Sequence, residues 1–241
     1  DIAAAKLVKI GVRAIPYVVE ELDSIEVWRR TLSAEILGRI GDKSATPEIV
    51  NRLYIEPNTN VRLAMIASLG MLADERAETL LLQTLKDPDT VIQSAAMLAL
   101  GKLQTPKATE ALTELIWLPK DSKAPNYYVQ LWRVQTASRA LATGKRESFS
   151  TLLDQAKLHW ENPAILSALV PSLASAGETL AIPLFHKLLK YPDVWVRRAA
   201  IESLLDTKDP KAVSILTRLL NDTAPVILYT ASAALSREGG T

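Results

Sequence analysis

The sequence predicts an all-α protein, a right-handed α-solenoid (superhelix) of about seven helix-turn-helix repeats. Three observations predict it. One helix-forming phrase recurs at a nearly constant period, an apolar anchor follows each copy at a fixed offset, and an amphipathic stripe precedes most copies. The phrase is plain in "PNTNVRLAMIASLGMLAD" (57–74), "PDTVIQSAAMLALGKL" (88–103) and "PDVWVRRAAIESLLD" (192–206).

Aligning the phrases on their arginine places Arg30, Arg62, Gln93, Val134, Leu166, Arg197 and Leu228 in register. The step is nearly constant, and only the one from Gln93 to Val134 is longer. Seven positions beyond each lies Leu37, Leu69, Leu100, Leu141, Leu173, Leu204 or Leu235. The preceding helix carries a small residue followed at +4 and +8 by large apolar ones. Ala45-Ile49-Leu53, Ala77-Leu81-Leu85, Ala108-Leu112-Ile116, Ala181-Phe185-Leu189 and Ala212-Leu216-Leu220 show it. That spacing puts one apolar stripe on each helix. Breakers at Gly41-Asp42, Ala73-Asp74, Asp87-Pro88, Tyr191-Pro192 and Asp209-Pro210 separate the helices. A lone helix pair cannot bury such a stripe, so neighbouring pairs must stack and share a core.

In chain order, residues 1–11 read as the remnant of a preceding repeat, because "AAAKLVKIGVRAIP" matches "AEILGRIGDKSATP" one period later. The repeats follow at 12–41, 42–74, 75–105, 106–145, 146–177, 178–208 and 209–238, as one array over 1–241. The long step in the fourth comes from an insertion at 118–130, "LPKDSKAPNYYVQ", which reads as an exposed loop carrying Tyr127 and Tyr128. Pro171, inside the fifth second helix, is expected to bend or interrupt it. The last helix is as apolar as the internal ones, so a segment of a longer protein, or one packed at its ends, is expected.

The period of about 31, the Asp-x-x-Val-Arg entry (Asp193 to Arg197) and the Ala-Leu-Gly exit (Ala99 to Gly101) resemble the short HEAT-like repeats of phycobilisome lyase subunits and bacterial scaffold proteins. The resemblance covers essentially the whole chain and concerns the residues that build the solenoid. It implies a protein-interaction scaffold, with two other classes beside it: a bilin lyase-like or chaperone subunit, and a nucleic-acid-binding protein of the HEAT-like glycosylase kind. In similar arrays the recurring arginine pairs with turn acids or carbonyls of the adjacent repeat.

Charge argues against nucleic acid, since 28 Lys and Arg face 27 Asp and Glu. Without cysteine there is no disulfide or thiolate metal site. No apolar run approaches the roughly 18 residues of a membrane span. A soluble chain is expected, with cytoplasm favoured and any targeting sequence lying before Asp1. His159 and His186 fall in successive repeats and begin no His-Glu pair. No phosphate loop, nucleophile elbow or acidic metal loop is written either. The expectation is therefore a chain that is not an enzyme and takes no cofactor or metal.

Its partner is expected to be a protein, presenting a helix or an extended peptide. If the second helices line the concave face, the residues one, five and nine after the Arg-like position point outward as an i, i+4, i+8 stripe. Leu63, Met71 and Leu98 are large apolar residues on that stripe, which marks them as groove residues or, if the register is off, as core. Trp28, Trp132 and Trp195 each fall two residues before the Arg-like position, with Arg29, Arg133 and Arg198 close behind. Aromatic and guanidinium groups stack and are favoured at interfaces. This edge and the Tyr127–Tyr128 loop complete the candidate sites.

Overall fold

Every predicted phrase folds as a helix, and its ends are fixed by short side chains and turn residues. In the computed structural model, residues 2–144, 146–176, 179–207, 209 and 211–238 are described. Pro210 of the predicted Asp209–Pro210 breaker, the repeat edges at 177, 178 and 208, and the last three residues lie outside them. The helices are α1 (Ile2–Ile10), α2 (Ile15–Glu20), α3 (Val27–Ile40), α4 (Thr46–Leu53), α5 (Thr59–Leu72), α6 (Glu78–Thr84), α7 (Thr90–Leu103) and α8 (Pro106–Glu114). They continue with α9 (Tyr127–Ala142), α10 (Arg146–Leu158), α11 (Pro163–Ser175), α12 (Ile182–Leu188), α13 (Val194–Asp206), α14 (Ala212–Leu219) and α15 (Pro225–Glu238). Among the described residues there is no strand.

Asn58, Asp89, Asn162 and Asp193 cap the second helices α5, α7, α11 and α13, each accepting a backbone N–H of the first turn. Asp42 and Asp74 accept the N–H of Ser44 and Arg76 at the turns into the next repeat. Helices α3, α5 and α7 stop where Gly41, Ala73 and Gln104 turn left-handed, and their N–H groups return to the anchors' carbonyls at Leu37, Leu69 and Leu100.

Two compact units divide the chain, residues 1–112 and 113–241. In the first, α3, α5 and α7 pack side by side, with α4 on α5 and α6 on α7, while α1 lies against α3. In the second, α9, α11, α13 and α15 form the ridge, and α10, α12 and α14 cover it. The core of both is the predicted one. Leu37, Leu69, Leu100, Leu141, Leu173 and Leu204 are buried, as are Ile49, Leu81, Leu112, Phe185 and Leu216 of the first helices. Leu235 is partly buried against Ile201, Leu216 and Ile227. Small residues let the second helices approach: a Cβ on Gly38 would meet Ser68 Cα at 2.9 Å, and one on Gly70 would meet Ala99 Cα at 3.0 Å.

Two local expectations are corrected. Tyr127 and Tyr128 belong to helix α9, not to a loop. Buried Gln130 donates to the Leu115 carbonyl at 2.9 Å, which closes the insertion and lets the helix begin a turn earlier. Helix α11 runs through Pro171 to Ser175 without interruption. Pro171 is exposed, so the Ser167 carbonyl that loses its N–H partner can turn to water. The stripe of α10, Phe149, Leu152 and Ala156, is buried although it lacks the small-first signature.

The repeats are joined by one recurring seam made in two chemistries. Arg30 forks onto Glu56 at 2.8 and 2.9 Å, Arg62 bonds Asp87, and Arg197 lies 3.7 Å from Asp222. Each acid sits in the turn before the second helix of the next repeat, where it also accepts an N–H two positions on, from Asn58, Asp89 or Ala224. Arg30 and Arg197 also donate to a carbonyl six positions back, at Ser24 and Tyr191, and Gln93 does the same to Asp87. Where the register holds Val134 and Leu166, the contact comes from the other side. Tyr191 stands two positions before the capping Asp193, as Glu56 and Asp87 stand two before Asn58 and Asp89. Its hydroxyl donates to the Trp160 carbonyl at 2.6 Å, and Trp160 lies six positions before Leu166. His159, in the turn before α11, hydrogen-bonds the Ile116 backbone of the preceding repeat. An arginine reaching up and a ring reaching down both satisfy backbone in these turns.

These seams make stability depend on acid. The Arg76 guanidinium holds the nearly buried Asp74 carboxyl down at about 2, against 3.8 ordinarily. Burial pushes Glu56, Asp87 and Asp209 up. Arg30, Arg62 and, for Asp209, the Lys211 N–H and His186 outweigh it, so all three lie below the usual carboxylate range. Carboxyls lowered on folding stabilise fully above their unfolded values near 4 and lose that contribution as pH falls through the folded ones. Burial also lowers the His159 imidazole below 6.5, only partly offset by its backbone bond, so protonation there opposes folding. Urea midpoints are expected to be flat between about pH 7 and 9, to dip slightly below about 6.5 and to fall steeply between about pH 4 and 2. They should also fall above about pH 10, where the half-buried Tyr191 hydroxyl, raised by burial on folding, must ionise. Asp74 alone accounts for at most about 2 kcal/mol, because its partner is half exposed. In His159→Asn the upper step should vanish while the lower one stays.

Candidate partner-binding face

Among the described side chains, the residues one, five and nine after the Arg-like position are not sealed in the core. Leu63 and Leu98 are half-buried, Ala67 is exposed and Met71 is 42% exposed. Met71 keeps its methyl over Gly38, where an added Cβ would meet it at 2.6 Å, so its side chain lies on the neighbouring helix rather than inside the core. In the second unit the same register lines two open grooves between adjacent second helices. One, of about 430 Å³ between α9 and α11, is lined by Gln135, Arg139, Ser167, Pro171 and Ser175 among others. The other, of about 510 Å³ between α13 and α15, is lined by Arg198, Glu202, Tyr229, Ala233 and Arg237, with Pro225 and Val226 at its end.

The three tryptophans do not share one fate. Trp28 is 59% exposed and Trp195 56%, each with a guanidinium over its ring, Arg29 at 5.3 Å and Arg198 at 5.8 Å. Trp132 and Arg133 are half-buried. Arg198 also bonds Glu202 at 2.9 Å, which ties Trp195 to the stripe of α13. Trp28 instead lines a separate groove with Leu7, Tyr17 and Ile36, about 320 Å³ in volume. Tyr128 is exposed at the start of α9, its ring edge-on to Tyr127 at 5.6 Å. Sequence reasoning had no signal for Tyr17, which is as exposed as the tryptophans but lies outside the repeated phrase.

His186 hydrogen-bonds the buried Asp209 across 2.7 Å, which joins α12 to the next turn and uses the ring structurally. Among the described residues, no group of three His, Asp or Glu side chains is placed to hold a metal ion, and no helix is long and apolar enough to cross a membrane.

A family model described as HEAT repeats matches residues 46–124 and 149–236, well over half of the chain. No curated protein matches the sequence. Similar solved structures include human deoxyhypusine hydroxylase in complex with glycerol, 19% identical, covering 99% of this chain and 89% of that one at a TM-score of 0.40. The CpcE–CpcF complex of phycocyanin lyase from Nostoc sp. PCC7120 is 18% identical over 92% of this chain and 75% of that one, at 0.41. An engineered protein is 19% identical over 92% and 95%, also at 0.41. A hydroxylase and a lyase stand among these likenesses. The expectation that the chain is not an enzyme is corrected: the residues that predict this fold are the ones that stack the repeats, and they carry no information about catalysis.

Proposed function

The chain belongs to the HEAT-repeat family, and from that premise we propose that it is a protein-interaction scaffold holding a helix or extended segment of a protein partner across its second helices. The observation that carries the proposal is the division of labour along each second helix. The anchors from Leu37 to Leu204 are sealed in the core, whereas the described side chains of the stripe at one, five and nine stay in contact with solvent and, in the second unit, line grooves. Large apolar side chains left on such a stripe, Leu63, Met71 and Leu98, are what a docking surface keeps available. In the second unit the Trp195–Arg198 pair adds two residue types that dominate binding energy at interfaces.

The test is a quantitative pull-down from native lysate with wild type and a Leu63→Glu, Met71→Glu variant. One discrete protein should be recovered by wild type and lost by the folded variant. Equal recovery by both would contradict the proposal.

A further inference from the structure

The two grooves between second helices of the second unit both hold guanidinium groups. The α9–α11 groove holds one cation, Arg139, among the amide of Gln135 and the hydroxyls of Ser167, Ser172 and Ser175, with no carboxylate in its lining. Arg139 is exposed and makes no ion pair among the described residues. In the α13–α15 groove Arg198 is matched by Glu202, while Arg237, two turns beyond Tyr229 on α15, is exposed and makes no such pair among the described residues. Two guanidiniums with no counter-ion among the described residues thus stand in two grooves along the stripe of one ridge, Arg139 at its fifth position and Arg237 at its ninth. Neighbouring helices on that ridge are packed side by side, α9 on α11, α11 on α13 and α13 on α15.

We infer that this face of residues 113–241 docks an extended acidic segment of a protein partner, with one carboxylate on Arg139 and a second on Arg237. This rests on the scaffold reading above and adds the chemistry of the partner. Arg139 on α9 and Arg237 on α15 lie three helix spacings apart, about 24–30 Å at the usual 8–10 Å per helix pair. An extended chain covers that in about seven to nine residues. The two acidic side chains are therefore about seven to nine positions apart, and the intervening residues cross α11 and α13 over Pro171 and the Arg198–Glu202 pair. Guanidinium forks match carboxylates in two parallel hydrogen bonds, and the Gln135 amide of the first groove adds a further donor type beside Arg139.

The experiment is an array of synthetic dodecapeptides in a fixed Ala/Ser/Leu background, each with two Glu at separations from about two to eleven, probed with the full chain. Signal should peak at separations of about seven to nine and fall about 10-fold when either Glu is Gln. Arg139→Gln and Arg237→Gln, both checked for fold by circular dichroism, should each flatten the peak, and about 0.5 M salt should weaken it. A wild-type profile without dependence on separation would overturn the inference, as would a peak unchanged in both folded variants. If the pull-down still distinguishes wild type from the Leu63→Glu, Met71→Glu variant, only the acidic anchors fall. If it does not, the scaffold reading falls with them.

Discussion

Arg30→Leu is expected to lower the free energy of unfolding by about 3 kcal/mol, because it strands a nearly buried carboxylate. Glu56 is almost enclosed, and burial alone pushes its carboxyl upward. The guanidinium fork and the Asn58 N–H are what keep it charged. The same substitution leaves the Ser24 and Ile25 carbonyls without their guanidinium donor. The second chemistry of the seam says how to repair it. Arg30→Leu combined with Glu56→Tyr copies the Leu166–Tyr191 arrangement, in which the ring hydroxyl reaches the carbonyl six positions before the leucine. The double variant should recover roughly half of the loss or more, a strongly non-additive result in urea unfolding. Losses that simply add would contradict the equivalence of the two seams.

Leu100→Ala should cost about 3 kcal/mol, typical of a buried leucine whose cavity collapses only in part. Leu100 is fully buried on α7, whereas Leu98, two positions earlier on the same helix, is only half-buried. Leu98→Ala should therefore cost about 1 kcal/mol or less. The contrast between these two leucines measures how sharply each second helix is split into a sealed face and an available one. Comparable losses at both positions would make Leu98 a core residue.

The anchors at Leu37 through Leu204 were legible because period and burial are the same fact: a residue that must meet its neighbour's stripe recurs with the repeat. The arginine of the seam was legible where it is arginine. Its replacement was not, because Tyr191 and His159 occupy the turns that hold Glu56 and Asp87 elsewhere but share no chemistry with them. Only the loss of arginine at Leu166 and Val134, the register positions one repeat earlier, hints at the exchange. Helix α10 hid its stripe by opening it with Phe149 rather than a small residue. The insertion misled because two prolines and a polar run read as loop up to residue 130. The turn before α9 in fact ends at Asn126, and the buried Gln130 amide fixes the start of the helix. The candidate face was legible as a stripe at one, five and nine. The grooves beside it were not, since they depend on how far apart neighbouring helices stand.

The measurement that tests the central claim most directly is the thermal unfolding of the Leu63→Glu, Met71→Glu variant beside wild type and Leu100→Ala. If the stripe is a surface kept for a partner, two carboxylates on it cost about 1–2 kcal/mol and lower the midpoint by roughly 2–8 °C, with the helical signal at room temperature unchanged. A loss equal to or larger than that of Leu100→Ala, or a variant unfolded at room temperature, would place Leu63 and Met71 in the core and contradict the account.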